Sequence, residues 1–167
     1  MKKAAVALLS LVLILATVIT AGCGSKSTQG NSSGKTATVT RQDVVDFVDE
    51  AIAYGKKVGK DKAVAEFNNP KGKFVRGELY IYAYNWDGIA LANGGNPALA
   101  GQNLIDMTDP NGVKVIQELI KVARAGGGWV DYVWPYPKTK INEPKLGYAD
   151  GVDSTWWIGS GIYTKKP

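Results

Sequence analysis

Histidine is absent from all 167 residues, and the single cysteine, Cys23, lies near the N-terminus. The commonest general base and the strongest nucleophile are therefore missing from whatever folds downstream, and no disulfide can form within it. Stability must come from a core. No serine stands in a Gly-x-Ser-x-Gly elbow, because Ser160 lies in Gly159-Ser160-Gly161 inside a strand-like run. The triplet Gly126-Gly127-Gly128 follows a helical pattern rather than opening one, so it offers no helix N-terminus to a phosphate. Asp87, Asp106 and Asp109 match no calcium-loop spacing, and turn or cap roles suit them better. The expectation is a non-enzyme without cofactor or metal. The remote exception is a reaction using Tyr or Asp as its base.

Charge is also short of pattern. The net charge is +5, part of it from Lys2 and Lys3, and no helix face gathers a basic cluster. A mild positive balance of this kind is a solvated surface, so nucleic acid is not an expected partner.

There is one long uncharged, mostly apolar run, Ala4 to Ala21, preceded by Lys2-Lys3 and followed by Gly22-Cys23. That is the tripartite shape of a secretory signal. It resembles a lipobox, which implies lipidation of Cys23, although Thr20 stands where that motif usually has an aliphatic residue. The alternative is an uncleaved anchor, since 18 residues barely span a bilayer. Residues 1–22 are thus expected to be a lipoprotein-type signal and 23–38 a flexible Gly/Ser/Thr/Asn/Gln/Lys tether. Residues 39–167 form one domain, exported and held at the outer face of a membrane.

What the domain does contain is aromatic residues on alternating patterns. The run from Gly126 to Pro137 reads as a core strand that puts Val130, Tyr132 and Trp134 on one face and Trp129, Asp131 and Val133 on the other. Upstream, Leu79 to Tyr84 and Ile89 to Ala92 flank Asp87-Gly88, a hairpin signal. One face of that hairpin carries Tyr80, Tyr82 and Tyr84, too many hydroxyls for a wholly dry core. Asn93 to Asn103 is a breaker-rich loop of the length that crosses or closes something. Strands are also expected near Lys145 to Ala149 and Thr155 to Thr164, with a turn at Asp150-Gly151. Gly159 and Gly161 leave room for something bulky against the backbone.

Helical patterns frame these strands. Thr40 and Asp43 form a capping arrangement before the 3–4 spacing of Val44, Phe47, Val48, Ala51, Ile52 and Val58. Asp61 is placed to cap a shorter helix ending near Phe67. Asp109-Pro110 reads as the start of another helix with the stripe Val113, Ile116, Leu119, Ile120, Ala123. The order predicts an α+β layer fold, an antiparallel sheet of about five strands with a long N-terminal helix and a second helix between strands.

The motifs Leu79-Tyr80-Ile81-Tyr82, Trp86-Asp87-Gly88, Asn96-Pro97-Ala98-Leu99-Ala100-Gly101-Gln102-Asn103, Gly128-Trp129-Val130-Asp131-Tyr132-Val133-Trp134, Pro144-Lys145-Leu146-Gly147-Tyr148 and Ile158-Gly159-Ser160-Gly161-Ile162-Tyr163 resemble, in order, the single Cache domain of type 2. The resemblance implies a PAS-like sensor outside the membrane that takes small ligands, often short carboxylates. Asn93 departs from the histidine common in that family. The implied site has Lys145 pairing with the carboxylate, Tyr82, Tyr132 and Tyr148 donating hydrogen bonds, Trp129 and Trp134 forming walls, and the loop around Asn96 as cover. With a lipid anchor on Cys23, such a domain would act through a partner protein. The competing reading is an envelope interaction protein whose pocket is filled by its own rings.

Overall fold

A computed structural model describes residues 38–164; the expected signal, most of the tether and Cys23 lie outside the described residues. The capping box at Thr40 forms as expected, with Thr40 Oγ1 accepting from the Asp43 backbone and Asp43 accepting from Thr40 N at 2.7 Å. It starts α1, Arg41–Val58, which buries Val44, Phe47, Val48, Ala51 and Ile52 on one stripe. Next comes α2, Lys60–Phe67, whose N-cap is Gly59 with φ 87 and not Asp61, which sits within the first turn. The chain break at Gly59 lets the second helix start one residue after the first ends, too early for Asp61 to cap it.

A two-stranded ribbon follows, β1 Val75–Arg76 with β2 Leu79–Tyr80. The expected hairpin is β3, Tyr82–Asn85, and β4, Ala90–Asn93, turned at Gly88, where φ is 82 and Asn85 Oδ1 accepts from the N–H groups of Asp87 and Ile89. The helix α3, Val115–Arg124, is followed by β5 Gly128–Pro135, β6 Asn142–Asp153 and β7 Trp156–Tyr163. These strands form one antiparallel sheet in the order β4-β3-β7-β6-β5. The α+β architecture is as expected.

Two local expectations fail for identifiable reasons. Asp109 does not cap a helix, for α3 begins after Lys114. Its carboxylate instead folds a turn, accepting from Asn111 N and Val113 N, and reaches across to Val133 N at 2.8 Å on β5. Nor is Asp150-Gly151 a turn. β6 runs through it because Asp150 and Gly151 pair with Ile158 and Trp157, and the local irregularity is absorbed as a bulge before Asp153.

Helices cover both faces. α1 lies on β6 and β7, where Phe47, Phe67, Phe74, Ile81, Ala83, Trp156 and Ile158 share one core. α3 lies on β5 and β6 on the opposite face, where Val115, Ile116 and Leu119 meet the tyrosine face. Strand alternation makes the division, since Tyr80, Tyr82 and Tyr84 point one way and Ile81 and Ala83 the other.

Candidate ligand-binding site

Lys145 is the centre of the α3 face. Its register partners are Tyr132 on β5 and Tyr163 on β7, so a cation on a central strand is set between two phenols. The side chain is only 1% exposed. Its Nζ lies 4.0 Å from the centre of the Tyr80 ring, 4.9 Å from Tyr163 and 5.4 Å from Tyr82, an arrangement in which ring quadrupoles offset part of the lost hydration. Burial nevertheless pulls its pKa down from the usual lysine value to about 7, with the negative charge of Glu78 working the other way.

The hydrogen bonds have a direction. Lys145 Nζ donates to Tyr80 Oη at 2.8 Å, the Tyr80 and Tyr163 hydroxyls are 3.1 Å apart, and Tyr163 Oη donates to the carbonyl of Pro135 at 2.9 Å. Since each phenol has one proton, Tyr80 must donate to Tyr163. That leaves two of the three ammonium hydrogens without a hydrogen-bond acceptor among the described residues.

Around the ammonium the phenols are fixed from below by glycines. The Tyr82 ring lies on Gly159, where any Cβ would overlap it, and its single hydroxyl proton is shared between the carbonyls of Ser160 at 3.2 Å and Tyr148 at 3.3 Å. The Tyr132 ring lies on Gly147, where a Cβ would come within 2.6 Å of it. The bulky group expected against Gly159 is thus a tyrosine of the site itself. Tyr84 stacks on Trp157 at 5.1 Å, and Trp157 Nε1 donates to Asn85 O. Desolvation holds the hydroxyls of Tyr80, Tyr82, Tyr84 and Tyr132 protonated well beyond the usual phenol range. The tyrosine face expected to be partly wet is buried throughout, because backbone carbonyls and neighbouring side chains take its hydroxyls.

Tyr82, Tyr84, Asn93, Tyr132, Trp134 and Lys145 close, with Val115, Ile116 and Leu119 of α3, a cavity of about 10 Å³, the size of a single water site. Four of the expected residues, Lys145, Tyr82, Tyr132 and Trp134, therefore meet at one place. Tyr148 and Trp129 do not. Both stand one strand position out of phase, pack against each other at 5.1 Å on the α1 side, and Trp129 has the Arg41 guanidinium over it at 5.5 Å. Tyr148 reaches the site only through its carbonyl. Asn96 is exposed and lines a neighbouring hollow of about 230 Å³. Tyr80, Tyr163, Tyr84 and Asn93 were not expected in the site. The shared phase of Tyr80, Tyr82 and Tyr84 carried that signal for two of them. Asn93, which departs from the histidine common in the family, uses Oδ1 to accept from Gly95 N at 3.1 Å and Asn96 N at 2.9 Å, so it shapes the start of the loop that follows β4.

A five-stranded antiparallel sheet with a buried lysine facing one helix and a long helix on the opposite face is a PAS-like arrangement. The single Cache domain 2 family model matches residues 32–166, and the chain belongs to that family. The sensor histidine kinase MctS of Rhizobium johnstonii is 39% identical over 85 residues, which cover 50% of this chain and 18% of the kinase. Among solved structures, a methyl-accepting chemotaxis protein from Vibrio parahaemolyticus superposes with a TM-score of 0.64 at 30% identity, over 73% of this chain and 86% of that one. A periplasmic sensor domain of a chemotaxis protein gives 0.58 at 28% identity, over 72% and 88%. The chain spans less than a fifth of the length of that kinase. Cache domains of such receptors and kinases bind small ligands. No helix among the described residues is long and apolar enough to cross a membrane.

Proposed function

We propose that this chain is a membrane-tethered, extracytoplasmic sensor that binds a short carboxylate at Lys145 and acts through a partner protein. The observation that carries the reading is the buried ammonium, with two hydrogens lacking acceptors among the described residues, in a phenol-lined cavity. A carboxylate brings two oxygens and a negative charge to the ammonium, and charge-assisted bonds of this kind are the strong ones. Tyr82 and Tyr132 flank the anion, Trp134 forms a wall, and α3 with the loop around Asn96 closes the site. A cavity of about 10 Å³ is too small for acetate, so binding even this acid pushes side chains outward. On this reading residues 1–22 are a cleaved signal, and lipidated Cys23 with residues 23–38 supplies the tether. Mass spectrometry of the mature N-terminus tests that part, an unmodified Cys23 removing it.

The test of the site is thermal melting against two- to four-carbon carboxylates. A saturating acid at about 100 times its dissociation constant adds about 2.7 kcal/mol. Lys145→Met is expected to abolish the shift. If no acid raises the melting temperature, or if Lys145→Met keeps the rise, the reading fails. The tightness of the cavity favours one competing view, an envelope interaction protein with no small-molecule ligand, and a flat melting panel is its expected result.

A further inference from the structure

The ammonium of Lys145 is sealed, so an anion that reaches it must come through something that moves. Three of the cavity's walls are strands of the central sheet, each hydrogen-bonded on both sides or capped at its edge. Trp134 is different. It lies near the end of β5, at the sheet edge, and among the described residues it alone lines both the inner cavity and the adjoining 230 Å³ hollow. The indoles of Trp86, Trp156 and Trp157 are each pinned by a hydrogen bond from Nε1. The Trp134 indole has none among the described residues, and it touches Tyr132 only edge to face at 6.0 Å.

The outer hollow has the chemistry of an anion's first stop. Lys140 brings a cation, Asn96, Thr108 and Asn142 bring polar groups, and Leu99 and Met107 bring apolar surface. Asp109 also borders it as an ionised carboxylate, since burial is outweighed by the backbone N–H groups of Val113, Val133 and Asn111, and these three donors on its oxygens offset the charge it turns toward the hollow. Lys140 is held in the left-handed region, φ 60, at the exposed β5–β6 tip, next to the exposed Lys138. A second approach to Lys145, a hollow of about 160 Å³, opens beside Asp131, whose carboxylate opposes an anion.

We infer that the hollow lined by Lys140, Asn96 and Asn142 is a transient capture site for carboxylate anions, from which they pass the Trp134 indole to Lys145. This rests on Lys145 being the destination. Lys140 attracts the anion on the way and contributes nothing to where it ends.

The experiment is stopped-flow tryptophan fluorescence on the full chain in detergent, with the acid of the two- to four-carbon panel that gives the largest melting shift. Lys140→Asn removes the charge and tolerates the positive φ. It is expected to slow association and dissociation together, each by about fivefold, the weight of one charge contact in water, with the dissociation constant changed less than about twofold. Lys140→Glu should slow both further. Raising salt from about 0.02 to about 0.5 M should slow association in the native chain and not in Lys140→Asn. Unchanged rates in both variants overturn the capture site while leaving Lys145 intact as the destination. Loss of affinity through dissociation alone overturns it too, by making Lys140 part of the final site. Faster association in Asp131→Asn with no effect at Lys140 assigns the route to the other hollow. A panel with no binder at all removes both this route and the reading it rests on.

Discussion

All three phenylalanines of the chain lie on the α1 side of the sheet, and six of its eight tyrosines lie on the α3 side. The two cores share strands and differ by one oxygen per ring. A phenyl ring asks only for contact, so Phe67 and Phe74 meet edge to face at 4.8 Å and need nothing more. A phenol must also place a proton, so the tyrosine side is a network with direction, from Lys145 through Tyr80 and Tyr163 to a backbone carbonyl. One core can only hold the fold together. The other can also exchange a partner.

The largest effect that separates them is electrostatic. Lys145 has a folded pKa of about 7 against the ordinary lysine value near 10.5. Between those values the unfolded chain holds a proton that the folded one has lost, so the stability of the ligand-free protein rises with pH. The slope is about 1.4 kcal/mol per pH unit, amounting to some 4–5 kcal/mol across the window. Below about pH 7 the term is flat. Urea titrations from about pH 6.5 to 9.5, before phenols ionise, should show this rise in the native chain and lose it in Lys145→Met. Carboxylate affinity should run oppositely, falling about tenfold per unit above pH 7 as the ammonium empties. Parallel pH curves for the native chain and the variant would erase the distinction between the two cores.

On the hydrocarbon side, Phe67→Ala removes a fully buried ring and should cost about 3–5 kcal/mol. The increment added by carboxylate should survive, and its loss would mean that the α1 core takes part in binding. Gly159→Ala is smaller in stability, about 1–3 kcal/mol from overpacking, but it displaces the Tyr82 ring. It should therefore remove the carboxylate increment, in contrast to the costlier Phe67→Ala. Smallest is Thr40→Ala, which loses the capping box for about 1 kcal/mol with no change in ligand response by calorimetry.

The sequence made the two-sidedness legible where local and global preferences agree. Thr40 and Asp43 satisfy each other within one turn, and the period of β5 alone separates Tyr132 and Trp134 from Trp129. It misled where a long-range bond outweighs a short-range habit. Asp109-Pro110 has the look of a helix start, yet the carboxylate is worth more folding its own turn and holding Val133 on β5. Asp150-Gly151 has the look of a turn, yet pairing with β7 continues through it. The resemblance implies Tyr148 as a donor beside Lys145, but the odd offset between the two along β6 puts its ring on the far face. Lys145's partner Tyr80 was out of reach for the opposite reason, since 65 residues separate them and only the sheet order brings them together.

Both borders of the sheet near the site are already occupied. On β4, Ala90 exchanges bonds with Gly101 and Gln102, and Asn93 N is taken by Asn68 Oδ1. On β5, the outward N–H of Val133 belongs to Asp109, and two residues on stands Pro135, with no donor to give. A visiting polypeptide seeking to lengthen the ladder beside Lys145 meets a closed margin there.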